Sequence, residues 1–139
     1  MAKIILASHG DFSKGVRHAL GMIVGGLSES VETYSLYPGD SAADYARSIE
    51  SDIKENPGLF VIITDIIGGS VFNELLVLRR YPNVRIISGM SLPLVLELVL
   101  NNDENLDDGK IDDISNRAKE GIKVFAFETD ASCSEDEDF

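Results

Sequence analysis

Two short stretches carry residues whose types and spacing could do chemistry: "SHGDFSKG" near the start of the chain and "TDIIGGSVFN" at its middle. In the first, His9 closes an apolar run. A histidine at a strand's carboxyl end can face solvent from a rigid support, and Gly10 beside it lets a ligand or partner approach closely. The amides around Ser13 and Lys14 open a helix, and helix openings attract anions. In the second stretch, Asp65 directly follows an apolar run, and Gly68, Gly69 and Ser70 lead into a helix. Glycines before a helix start expose N–H groups that can cradle phosphate oxygens, and Ser70 could both cap the helix and donate to an anion. Neither a dinucleotide fingerprint nor a P-loop is present, because G-x-G-x-x-G is absent and no lysine follows the glycines. Taken singly, the two stretches also fit a chemically silent, hydrogen-bonded histidine and a plain serine-capped turn. His18, in the middle of a helical pattern, reads as a surface residue.

Taken together they point to a phosphorylated histidine. A nucleophilic imidazole needs a neutral ring nitrogen with a free lone pair, and a histidine's ordinary pKa of ~6.5 supplies mostly that form near neutrality. A carboxylate on Nδ1–H fixes the tautomer and leaves Nε2 to attack. Donors at Gly10, Gly68, Gly69 and Ser70 would then hold the transferring phosphoryl group. A metal site is not expected, since only His9, Asp11 and Asp65 could converge and no second histidine or cysteine stands near them. No cofactor is expected.

The elements that must position these residues follow from hydrophobic periodicity. "AKIILA" reads as a buried strand. Val16, Ala19, Leu20, Ile23 and Val24 recur at helical spacing until Gly25-Gly26. Residues 31–36 alternate as a half-exposed strand, and Ser41 with Asp44 signs the start of a second helix. Residues 59–64 are continuously apolar, as in a strand covered on both faces. A helix follows Ser70, a fourth strand spans 84–88, and "GMSLPLVLELVL" opens a fourth helix with Pro93 in its first turn. A weaker helix surrounds Ile111, Ile114 and Ala118. Residues 122–128 ("IKVFAFE") read as a last strand, apolar on both faces.

Strands alternating with helices predict an α/β fold, an open doubly wound sheet of four parallel strands. A C-terminal edge strand, antiparallel to the rest, would be either part of its own sheet or exchanged between subunits. Sites in such sheets lie outside the carboxyl ends of the strands, at the switch in strand order. That logic brings together His9, Asp65 and the segment Ser88 to Leu92, where Met90 and Leu92 are candidate apolar contacts for a docking partner.

The chain has 139 residues and a net charge of −12, from 24 acids and 12 bases. Half of the excess lies in residues 128–139, which hold six acids and no base. The expected organisation is a single domain over 1–129 and an acidic tail over 130–139. Nucleic-acid binding is not expected, because clustered lysine and arginine are missing. An acidic body favours basic partners. No run approaches the ~18–20 apolar residues of a membrane span, no export signal is legible, and a lone Cys133 fits a reducing compartment. A cytoplasmic location is therefore expected.

The chain resembles the IIA component of the mannose-type bacterial sugar phosphotransferase system. "SHG" after the first strand resembles that family's phosphorylation loop. "DIIGGSVFN" resembles its Asp-x-x-Gly-Gly-Ser-Pro-x-Asn segment, with Val71 in place of proline. "SGMSLPLVLE" resembles its Ser-Gly-x-Asn-x-Pro-x-x-x-Glu segment, with Ser91 in place of asparagine. The segments fall in family order over residues 1 to about 128, and no IIB domain follows, so the resemblance implies a free-standing IIA protein. It implies that His9 accepts a phosphoryl group from the histidine phosphocarrier HPr and passes it to a IIB component. Asp65 would orient His9, while Gly69 and Ser70 would hold the phosphate. The membrane IIC and IID components would be reached only indirectly, and the last strand would exchange within a homodimer. Two other readings stay open: the phosphoryl-donor subunit of a dihydroxyacetone kinase, and a non-catalytic signalling or binding module on the same fold.

Overall fold

The structure, a computed structural model, describes residues 1–127. The elements run β1 (Lys3–His9), α1 (Phe12–Val24), β2 (Glu32–Leu36), α2 (Ala42–Glu55), β3 (Phe60–Thr64), α3 (Ser70–Leu76), β4 (Val84–Ser88), α4 (Leu92–Leu100) and α5 (Asp108–Lys119). The four strands form one parallel sheet in the order β2-β1-β3-β4.

The apolar runs of β1 and β3 become the two central strands because both of their faces can be covered. Period-2 alternation sends Ile4, Leu6, Val61 and Ile63 to one face, against α1, α4 and α5. It sends Ile5, Ala7, Phe60 and Ile62 to the other face, against α2 and α3. The strand order reverses between β1 and β3, and the covering helices change face with it, as right-handed crossovers require. The carboxyl ends of β1 and β3 therefore flank the crevice of the switch point, where His9 and Asp65 sit.

The helix boundaries follow their local signals. Ser41 caps α2 by accepting the Asp44 amide. Pro93 lies in the first turn of α4, and Ser91 caps that helix by accepting the Leu94 amide at 3.4 Å. Val71, second in α3, is fully buried in the α2–α3 core. No described helix is long and apolar enough to cross a membrane.

The sheet has four strands among the described residues, not five. Residues 122–126 pair with no strand of this chain, and Ile122, Val124, Phe125 and Phe127 are all exposed. The apolar character of both faces is real, but the chain's own sheet covers neither. An antiparallel edge strand folded back onto its own subunit is thus not what the structure holds. Residue 128 and the acidic tail expected over 130–139 lie outside the described residues.

The core's dependence on β3 is testable. Ile63 is fully buried between β1, α1 and α4. Ile63→Ala is expected to destabilise the fold by about 2–5 kcal/mol, from lost transfer energy plus a residual cavity, measured by urea unfolding.

Candidate functional site

His9 is the last residue of β1, and its side chain is 47% exposed. Asp65 directly follows β3, and its side chain is only 13% exposed. One carboxylate oxygen, Asp65 Oδ2, accepts the His9 backbone N–H at 2.8 Å and lies 2.8 Å from His9 Nδ1. The other, Oδ1, accepts the Ile66 amide at 3.0 Å. Burial works to raise the Asp65 carboxyl. The two hydrogen bonds from His9, the charge of its ring and the Ile66 amide outweigh that and hold the group below the usual carboxylate range.

An ionised carboxylate can only accept, so Nδ1 carries the proton and donates to Asp65. Nε2 is then the acceptor nitrogen, with the Ser70 hydroxyl donating to it at 3.2 Å. In the neutral form of the ring this geometry leaves the lone pair on Nε2.

The loop between β3 and α3 packs on the other side of that ring. A Cβ on Gly69 would come within 3.2 Å of His9 Cε1 and 3.0 Å of Ile66 Cγ2, so any side chain there would press on the imidazole and on Ile66. Gly68 turns through φ +81°, and its carbonyl accepts from Asn73 Nδ2 at 3.1 Å. On the β1 side, Gly10 at φ +53° lets the chain leave the strand and enter α1 two residues later; its amide donates to Leu36 O at 2.8 Å.

The sequence-predicted residues divide accordingly. His9, Asp65, Gly69 and Ser70 meet. Gly10 and Gly68 shape the flanking turns, and the Gly10 amide is taken by Leu36 O. The glycine nest is narrower than expected, because the Gly69 N–H bonds Ile66 O at 3.3 Å within the turn. Ser70 is not the cap of α3: Gly69 holds that position, and Ser70 opens the helix, which leaves its hydroxyl for His9.

Met90 does not form the docking surface expected of it, and Leu92 is only half-exposed. Met90 is 6% exposed in the core beneath α4, and Leu92 packs partly against the same core. The cap at Ser91 sets the phase of α4 so that this apolar segment turns inward. Phe12, Ile66 and Ile67 are the exposed apolar side chains in the loops that carry His9 and Asp65. They went unnoticed in the sequence, along with Asn73. An available signal was two isoleucines in a loop between a chemically capable aspartate and a glycine pair, where nothing needs burying.

Residues 3–115 match the family described as "PTS system fructose IIA component". A sorbose-specific EIIA component of the phosphotransferase system from Klebsiella pneumoniae is 35% identical over 103 residues, covering 73% of this chain and 75% of that protein. Among solved structures, the phosphotransferase component EIIA from Streptococcus agalactiae is similar with a TM-score of 0.78 and 28% identity, covering 90% of this chain and 98% of the other. The mannose/sorbose-specific IIA subunit from Enterococcus faecalis shares the fold with a TM-score of 0.77 at 22% identity, covering 91% and 96%.

The depressed Asp65 carboxyl makes a pH prediction. A group whose folded pKa is lowered contributes stability that is complete above its unfolded value, ~3.9, and is lost as pH falls through the folded value. Wild type is therefore expected to exceed Asp65→Asn in urea stability at pH 6, with the gap closing as the pH is taken below 4. A gap that stays constant with pH would remove the Asp65 carboxylate from the account.

Proposed function

The chain belongs to the phosphotransferase-system fructose IIA component family, and from that premise we propose that His9 is its phosphoryl-carrying residue, with Asp65 as its orienting group. The observation that carries the reading is the double use of Asp65 Oδ2, which fixes both the backbone and the ring of His9.

In the forward step the His9 Nε2 lone pair attacks the phosphorus carried by HPr. A new N–P bond forms, the donor's N–P bond breaks, and the donor imidazole leaves with that electron pair. The proton stays on His9 Nδ1, where the Asp65 carboxylate offsets the positive charge the ring acquires on phosphorylation. The Ser70 hydroxyl turns from Nε2 to a phosphoryl oxygen. The second step reverses the first, with a nitrogen or thiolate of the IIB component as the attacking group. No redox change occurs, and the phosphoryl group is conserved through both steps. Delivery to the membrane IIC and IID components is then indirect. Kinase-type chemistry at a phosphohistidine, in the cytoplasm, is the finer reading that follows. The family match favours the sugar system over a dihydroxyacetone kinase subunit.

The exposed position of His9 suits transfer between proteins, since a partner's reactive group must reach Nε2 directly. Phe12, Ile66 and Ile67 supply apolar contact area around it, the part expected of Met90 and Leu92.

We also infer a homodimer built on residues 122–127. β4 is an outer strand of the sheet. Beside it runs a groove of about 570 Å³ lined by Ile86, Ile87, Ser88, Ile111 and Ser115, with Ile122 at its rim. An unpaired strand edge next to a groove that joins isoleucines to the charged side chains of Arg85, Asp108, Asp112 and Lys119 suits strand addition. The matching occupant is the apolar segment of a second copy, which its own sheet leaves uncovered.

Two measurements test these readings. Incubation with phosphoenolpyruvate, enzyme I and HPr is expected to label His9 alone, located by mass spectrometry without acid. His9→Ala is expected to abolish the label and Asp65→Ala to slow it by about 10²–10⁴-fold while leaving the fold intact. Label persisting in His9→Ala would overturn the assignment. Sedimentation over a wide dilution range is expected to give a dimer for the full chain and a folded monomer for a chain ending at Gly121.

A further inference from the structure

A second hydrogen-bonded network adjoins the histidine on the side away from Asp65. Tyr37 follows β2, whose last residue Leu36 is the register partner of His9. The Tyr37 hydroxyl donates to Asp11 Oδ1. Lys14 Nζ donates to the same hydroxyl at 2.8 Å and lies 5.1 Å from the centre of the tyrosine ring. The Tyr37 amide donates to Asp40 Oδ2 at 3.0 Å, which fixes the backbone of the tyrosine. None of these groups is needed to hold the core: Asp11, Lys14 and Tyr37 are all exposed.

Asp11 stands two residues after His9, so the two backbones are within roughly 7 Å. Its carboxylate is a negative charge on the loop that carries His9. We propose that Tyr37 is a positioning residue for phosphoryl transfer: through its hydroxyl it joins Asp11 to Lys14, tethering the carboxylate and offsetting its charge beside His9. The inference rests on His9 being the carrier, and it concerns how that site admits an anion. Lys14 alone would be a long, mobile cation. The ring and hydroxyl of Tyr37 give it a fixed place next to Asp11.

The test compares four proteins by initial rate of phosphoryl transfer from phosphorylated HPr: wild type, Tyr37→Phe, Asp11→Asn and the double variant. Repulsion between a carboxylate and a dianion roughly 7–10 Å apart, in largely aqueous surroundings, corresponds to about three- to tenfold in rate. Tyr37→Phe is expected to be slower by that factor, with the deficit shrinking as salt is raised. Asp11→Asn is expected to match or exceed wild type, and Tyr37→Phe to cost nothing further in the Asp11→Asn background. A merely structural tyrosine would cost the same in both backgrounds and would be insensitive to salt, and that outcome overturns the proposal. So does a Tyr37→Phe protein as fast as a labelled wild type, which leaves the carrier reading standing. A wild type that takes no label at His9 overturns both.

Discussion

Everything at this site depends on one carboxylate oxygen. Asp65 Oδ2 accepts the His9 backbone N–H and sits at hydrogen-bond distance from the ring nitrogen of the same residue. Through Ala7 and Thr64, β1 and β3 pair as neighbouring strands in parallel register. Past that pairing, two residues on from Ala7 and one on from Thr64, the ladder is continued by a side chain, with the Asp65 carboxylate accepting the His9 N–H. Strand pairing and ring orientation are thereby the same structural event. A His9 rotamer cannot drift without breaking contact with a group that also holds its backbone, so the lone pair at Nε2 is aimed by the sheet.

That arrangement explains the distribution of burial. Asp65 is mostly enclosed and His9 nearly half exposed. Enclosing the carboxylate raises the cost of its charge, and three hydrogen bonds offset the cost. The result is an anion fixed in place and available to oppose a positive ring. An exposed imidazole does the reverse: it remains reachable by groups on other proteins. A buried histidine would be better protected but useless as a relay, while an exposed aspartate would lose its grip to water and salt. Gly69 completes the constraint from the far side, since any side chain there would press on the ring.

Much of this was legible in the sequence because it follows from patterns that local physics enforces. The continuous apolar runs at β1 and β3 need cover on both faces, and that need placed them at the centre of the sheet and His9 and Asp65 at its switch point. Other features were not legible because they depend on phase or on a partner. Whether Ser70 or Gly69 caps α3 turns on a single residue of helix phase. Met90 and Leu92 follow a glycine turn and look available, yet the cap at Ser91 rotates their segment into the core. The Gly69 amide is taken up by its own turn through Ile66 O, a bond that the residue types do not reveal. Residues 122–127 carry a strand's composition, yet among the described residues no strand pairs with 122–126, and pairing depends on a neighbouring edge that composition does not encode.

The two sides of His9 then divide the work. On the β3 side, Asp65, Gly69 and Ser70 act on the imidazole itself: they set its tautomer, wall its face and touch its reactive nitrogen. On the β2 side, Tyr37 and Lys14 touch the loop and its carboxylate, not the ring. A relay histidine must gain and lose a phosphoryl group with comparable ease, so neither partner's step can be favoured by tight enclosure of the phosphate. A site with few direct phosphate donors and a fixed counter-carboxylate on the ring meets that requirement. In the proposed carrier role, Asp65 would offset the positive charge that phosphorylation creates, while the phosphoryl oxygens would stay open to the next protein in the chain of transfer.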